Sequence, residues 1–153
     1  MNLSSPNAAR EGRETLGEEM ARILIVDDNA PVRWQLAAIL ESEGHQVEQA
    51  SNGLQALSKF GTSSYDAVVM DVYLPFLSGL EACRRLRQRS RVPILVLSTT
   101  PDPSLEENAF AYGATGFTCK PPNVKGLLSW LRRAVTSRQQ PNGASSGQCL
   151  GAC

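Results

Sequence analysis

Five short apolar runs recur along the chain, each followed by a stretch whose apolar residues return every three or four positions. Residues 22–27 form a nearly continuous apolar run, as expected of a central parallel strand buried on both faces. Residues 31–43 then read as a helix, with Asp28 or Asn29 placed to cap it and Pro31 in the first turn, where a missing N–H costs little. Val32, Leu36, Ile39 and Leu40 make its inward stripe, and Gly44 suits the position just past its end. Residues 46–50 alternate in the manner of a strand towards an edge, and Asn52 caps a short helix running through Phe60. Residues 66–71 make a third strand, followed by a loop with Pro75 and Gly79 and a helix over about 80–88. A fourth strand covers 92–98, and Ser104 is expected to cap a helix reaching about Tyr112, where Gly113 stops it. Residues 115–119 read as the fifth strand, and the last helix runs over about 123–137 with Val124, Leu127, Leu128, Leu131 and Val135 on one face.

Strand and helix therefore alternate five times with short connections, which predicts an α/β fold with a parallel sheet covered by helices on both faces. The expected architecture is a flavodoxin-like, doubly wound, five-stranded sheet of order 2-1-3-4-5, whose switch point lies between strands 1 and 3. Residues 1–20 are polar without a sustained apolar period and read as a flexible extension. Residues 21–137 form the folded unit, and 138–153 have the composition of a disordered tail. Met20 stands just before the first strand as an alternative start.

A chain of 153 residues with balanced charge, 15 basic and 15 acidic, gives no general attraction to nucleic acid or membrane. No apolar stretch spans a bilayer and no secretory signal opens the chain, so a cytoplasmic location is expected. The four cysteines do not suggest a disulfide framework: Cys83 falls in a helical pattern, Cys119 in a strand pattern, and Cys149 and Cys153 in a Gly/Ser-rich segment. Reduced thiols are the expectation, the role of Cys149 and Cys153 staying open.

The chemistry sits where the apolar runs stop. Asp27 and Asp28 close the first, Asp71 the third and Ser98 the fourth, while Lys120 follows the fifth. On parallel strands these groups converge at the carboxyl edge of the sheet, where open α/β folds place their sites. Three crowded carboxylates repel one another unless a cation neutralises them, and an all-oxygen donor set favours Mg²⁺. A carboxylate can take up a phosphoryl group as an acyl phosphate, an ammonium suits one phosphoryl oxygen and a hydroxyl another.

The segments Ile25-Val26-Asp27-Asp28-Asn29, Met70-Asp71-Val72-Tyr73-Leu74-Pro75, Val92-Pro93-Ile94-Leu95-Val96-Leu97-Ser98 and Gly116-Phe117-Thr118-Cys119-Lys120-Pro121 occur in that order. In this the chain resembles a receiver domain of a two-component response regulator of the single-domain type, over roughly residues 22–136. The resemblance implies that Asp71 is the phosphoacceptor and that Asp27, Asp28, Asp71 and the main-chain carbonyl of Tyr73 hold Mg²⁺. It further implies that Lys120 and Ser98 contact the phosphoryl group, that Ser98 and Phe117 act as a switch, and that the Lys120–Pro121 peptide is cis. The implied donor is a histidine kinase or a histidine phosphotransfer protein. The implied output is a downstream protein target at the surface of helix 4, strand 5 and helix 5, with a phosphorelay role and a homodimer both compatible. On this reading the chain is no enzyme towards other substrates, although it catalyses its own phosphorylation and dephosphorylation.

Each residue also has a plainer reading. Asp27 and Asp28 could merely cap the first helix, Phe117 could be core, and the arginines at 84, 85, 87, 89 and 91 could be a solvated face. Trp130 lies off the inward stripe and could either form an exposed aromatic patch with Phe110 or Tyr112 or equally cover the helix edge. Thr99, Pro101, Pro103 and Pro122 depart from the family pattern without removing a chemical group. The competing function is a pseudo-receiver, a protein-binding module without significant phosphorylation. A phosphatase and a flavodoxin fit poorly, because Asn29 stands where the former needs an acid and two carboxylates stand where the latter binds phosphate. Direct DNA binding is not expected, since no recognition helix is apparent.

Overall fold

The computed structural model describes residues 20–138 and 148–149. Five strands alternate with five helices: β1 (Arg22–Val26), α1 (Ala30–Ser42), β2 (Gln46–Ala50), α2 (Gly53–Thr62), β3 (Ala67–Asp71), α3 (Gly79–Arg89), β4 (Ile94–Ser98), α4 (Pro103–Ala111), β5 (Gly116–Cys119) and α5 (Val124–Arg138). All pair in parallel, in the order β2-β1-β3-β4-β5 expected from the sequence. A sixth strand, β6 (Gln148–Cys149), adds to the outer edge of β5. The sequence reading counted five, because two residues are too few to show an alternation.

The apolar runs are continuous because both faces of the sheet are covered. On one face Leu24, Val26, Val68, Met70, Ile94, Val96 and Phe117 pack beneath Ala56 of α2, Ala82 and Leu86 of α3 and Ala109 of α4. On the other, Ile23, Ile25, Val69, Leu95 and Leu97 meet Leu36 and Leu40 of α1 and Leu127, Trp130 and Leu131 of α5. Each such side chain contributes about 1.5–3 kcal/mol when fully buried, so the register of the sheet is strongly fixed.

Caps set where the helices begin. Asn29 and Asn52 accept from the backbone N–H groups of Val32 and Gln55 at 3.1 and 2.8 Å. For α4 the cap is Asp102, whose Oδ1 accepts from Ser104 and Leu105, rather than Ser104 itself. Pro103 occupies the first helical position, which moves the cap one residue before it. Trp130 is buried at 2 % exposure and joins the core, so of its two readings the exposed aromatic patch does not hold. Cys119 is disulfide-bonded, where a reduced thiol was expected, whereas Cys83 is a free, buried thiol. No helix among the described residues is long and apolar enough to cross a membrane.

Candidate functional site

Strand register assembles the site. Val26 of β1 is opposite Met70 of β3, so the next residues, Asp27 and Asp71, emerge side by side at the carboxyl edge. Asp71 itself pairs with Leu97, one residue before Ser98, and Ser98 pairs with Cys119, one residue before Lys120. Four groups that are up to 93 residues apart in sequence thus share one edge of the sheet.

Asp27, Asp28 and Asp71 each present an oxygen, and these oxygens lie within 4.8 Å of one another. Asp27 and Asp71 are buried and Asp28 is exposed, so the cluster opens to solvent on the Asp28 side. Lys120 Nζ donates to Asp27 Oδ2 at 2.7 Å and to Asp71 Oδ2 at 3.2 Å. Asp27 Oδ1 accepts from the Asn29 N–H, and Arg33 donates to the Asp27 carbonyl, which fixes the start of the loop. Tyr73 has an exposed side chain.

Charge remains uncompensated in this arrangement. Burial pushes the Asp71 carboxyl above its ordinary range, the neighbouring Asp27 adds to this, and Lys120 opposes it. Burial disfavours the Lys120 charge, but Asp27 and Asp71 together outweigh it and hold the ammonium above its ordinary value. Three carboxylates against one ammonium leave two negative charges for a cation to meet. Asp71 Oδ1 is buried without a hydrogen-bond partner, an expensive state for a carboxylate oxygen. The all-oxygen donor set, the charge and this orphaned oxygen fit a hard divalent cation.

Ser98 is fully buried, and its hydroxyl is turned to its own loop: Oγ donates to the Thr100 carbonyl at 3.0 Å and accepts from the Thr100 N–H at 3.2 Å. Phe117 is buried in the core face of β5 at 1 % exposure. The Lys120–Pro121 peptide is cis, as the resemblance implied. Thr99 is exposed at the loop surface.

Several residues that shape the site were not singled out from sequence for this role. Gly79 abuts the strand end so closely that a Cβ there would overlap the Asp71 carbonyl oxygen. The loop between them contains Phe76, whose φ of 68° is left-handed and whose side chain is 81 % exposed. Among the arginines, Arg84 and Arg85 pair with Glu81, while Arg87 reaches across to the Gly113 carbonyl at 2.6 Å and ties α3 to the end of α4.

A family model described as the response regulator receiver domain matches residues 23–132. The response regulator MprA of Mycobacterium bovis is 37% identical over 130 residues, covering 84% of this chain and 56% of that protein. The response regulator ArlR of Staphylococcus saprophyticus is 31% identical over 123 residues, covering 80% and 56%. The chain therefore spans about half the length of these relatives. Among solved structures, the chemotaxis response regulator CheY4 of Vibrio cholerae matches with a TM-score of 0.70 at 36% identity, over 75% of this chain and 98% of that one. A co-crystal structure of the histidine phosphotransfer protein Ypd1 with the receiver domain of Ssk1, from Saccharomyces cerevisiae, matches in fold with a TM-score of 0.74 at 22% identity, covering 80% and 94%.

Proposed function

This chain belongs to the response-regulator receiver family of two-component signalling, and we propose that it accepts a phosphoryl group on Asp71 from a phosphohistidine. The observation that carries the proposal is Asp71 Oδ1, buried and unpartnered among three carboxylates and an ammonium. Asp71 attacks the phosphorus; the new O–P bond forms as the P–N bond breaks, and the imidazole leaves with the electron pair and is protonated by solvent. Asp27, Asp28, Asp71 and the Tyr73 main-chain carbonyl would hold Mg²⁺, which when bound supplies positive charge to the transferring group.

Lys120 is the mobile charge of the site. Before transfer it is shared between Asp27 and Asp71. Once Asp71 is an acyl phosphate, the ammonium follows the negative charge to a phosphoryl oxygen. The Ser98 hydroxyl leaves the Thr100 carbonyl for another oxygen, which frees the loop between β4 and α4. Phe117, on β5 next to this loop, repacks with it, and the surface formed by α4, β5 and α5 is altered for a downstream protein target or for a second copy of the chain.

The donor class is a histidine kinase or a histidine phosphotransfer protein, in a cytoplasmic phosphorelay. The chain catalyses its own phosphorylation and dephosphorylation and acts on no other substrate. Incubation with Mg²⁺ and a small acyl phosphate tests this against a pseudo-receiver. The wild-type chain gains the mass of one phosphoryl group and Asp71→Asn gains none; no gain by the wild type in Mg²⁺ would favour the pseudo-receiver.

A further inference from the structure

Six large apolar side chains are exposed among the described residues: Trp34, Leu54, Tyr73, Phe76, Tyr112 and Val124. Trp34, Leu54 and Val124 lie in the first two turns of α1, α2 and α5, and Tyr73 and Phe76 in the loop between β3 and α3. Helix starts and strand-to-helix loops of a parallel sheet lie at its carboxyl edge. Only Tyr112, just past the end of α4, belongs to the opposite end. Exposed apolar surface is therefore gathered at the end of the molecule that holds Asp71, and such surface marks interaction sites.

Phe76 is the extreme case, at 81 % exposure, and the backbone enforces its presentation. The Leu77 N–H donates to the Pro75 carbonyl at 2.7 Å, closing a three-residue turn with Phe76 at its centre. With φ at 68° this is the rare, strained form of the γ-turn, which a bulky residue seldom adopts. Both flanks are pinned. The Gly79 N–H donates to the Val72 carbonyl at 2.8 Å, and a Cβ on Gly53 would overlap the Leu77 carbonyl oxygen. Strain that the surroundings hold in this way clusters at binding sites.

The location narrows the partner. Gly79 abuts the Asp71 carbonyl, and Phe76 precedes it by three residues. At about 3.8 Å per peptide link, the Phe76 Cα lies within roughly 11 Å of Gly79. A protein partner covers about 800 Å² a side, equivalent to a circle of roughly 16 Å radius. Asp71 is only 5 % exposed, so a phosphohistidine has to be brought down onto it by the surface that carries it. A surface centred on Asp71 reaches Phe76, whereas a small acyl phosphate does not.

We propose that Phe76 is a docking and specificity residue for the protein donor, its ring seating in an apolar pocket beside the donor's phosphohistidine. This rests on the proposed phosphoryl transfer and adds what selects the donor. A ring held out by a pinned turn loses little freedom on binding, and buried aromatic anchors carry a large share of interface energy. The free chain bears the strain, and the donor complex uses the exposed ring.

The test sets the full chain in Mg²⁺ against two donors. One is a small acyl phosphate; the other is the fastest of a panel of radiolabelled histidine kinases and phosphotransfer proteins. Phe76→Asn should raise KM for the protein donor by about tenfold and leave kcat within about twofold. Phe76→Tyr keeps the ring and should hold KM within about twofold of the wild type. The rate from acyl phosphate should be equal in all three chains, which separates docking from damage to the Asp71 pocket. An unchanged donor KM in Phe76→Asn, or an equal loss with acyl phosphate, would overturn the inference and leave the phosphoryl reading standing. No uptake by the wild type from either donor would end that reading, and the inference with it.

Discussion

Lys120 Nζ sits 2.7 Å from Asp27 Oδ2 although 93 residues separate the two in sequence. Both are largely withdrawn from water, the Lys120 side chain being 12% exposed and that of Asp27 1%. The ammonium also reaches Asp71, so one cation restrains two buried carboxylates. Removing it leaves these acids facing each other.

Lys120→Ala should therefore destabilise the metal-free protein by about 3–5 kcal/mol, the range for breaking a buried ion pair from one side. Mg²⁺ should restore more stability to this variant than to the wild type, because it replaces the missing positive charge. Urea unfolding with and without Mg²⁺ checks both statements. Equal responses to the metal would contradict the picture of Lys120 as the counter-ion of the cluster.

Asp71 gives a pH signature. Its pKa is raised above the ordinary 3.8, first by burial, so the folded state binds this proton more tightly than the unfolded chain. The stability contributed by the protonated form is complete below the unfolded value and is lost as pH rises through the folded value. Asp71→Asn does not titrate there, so its melting temperature should gain on the wild type as pH rises from below 3.8 and then level off. A difference that shrinks over the same window would reverse the sign of the argument.

Phe76 offers a test of backbone strain. A left-handed conformation costs a non-glycine residue roughly 1–2 kcal/mol, and Asn tolerates it better than Phe. With 81 % of Phe76 exposed, little packing is lost on replacing it. Phe76→Asn should raise stability by about 1 kcal/mol in denaturant unfolding, with Asp71 phosphorylation by a small acyl phosphate unchanged.

The acids and the lysine were legible because each ends an apolar run, and parallel pairing sends all run ends to one edge. Ser98 was legible as a position, but its bond to Thr100 was not, since a hydroxyl rotor is set by its local loop. Trp130 was left off the inward face because the stripe of the last helix was drawn through Val124, Leu127, Leu128, Leu131 and Val135. The signal that could have corrected it is Gly116: a glycine within a strand marks a close approach, and the Trp130 ring fills that space. Phe76 left no trace in sequence, because Phe is not a residue that announces a positive φ. The disulfide at Cys119 could not be read either, since Cys119 falls within a strand pattern that carries no sign of a partner.

The central claim is tested most directly by mapping the phosphorylated residue after reaction with a phosphohistidine-bearing protein, in Mg²⁺ and in excess chelator. The account predicts a single acyl phosphate on Asp71, formed in Mg²⁺ and suppressed by the chelator. Phosphate on any other residue, or on Asp71 at the same rate without the metal, would contradict it.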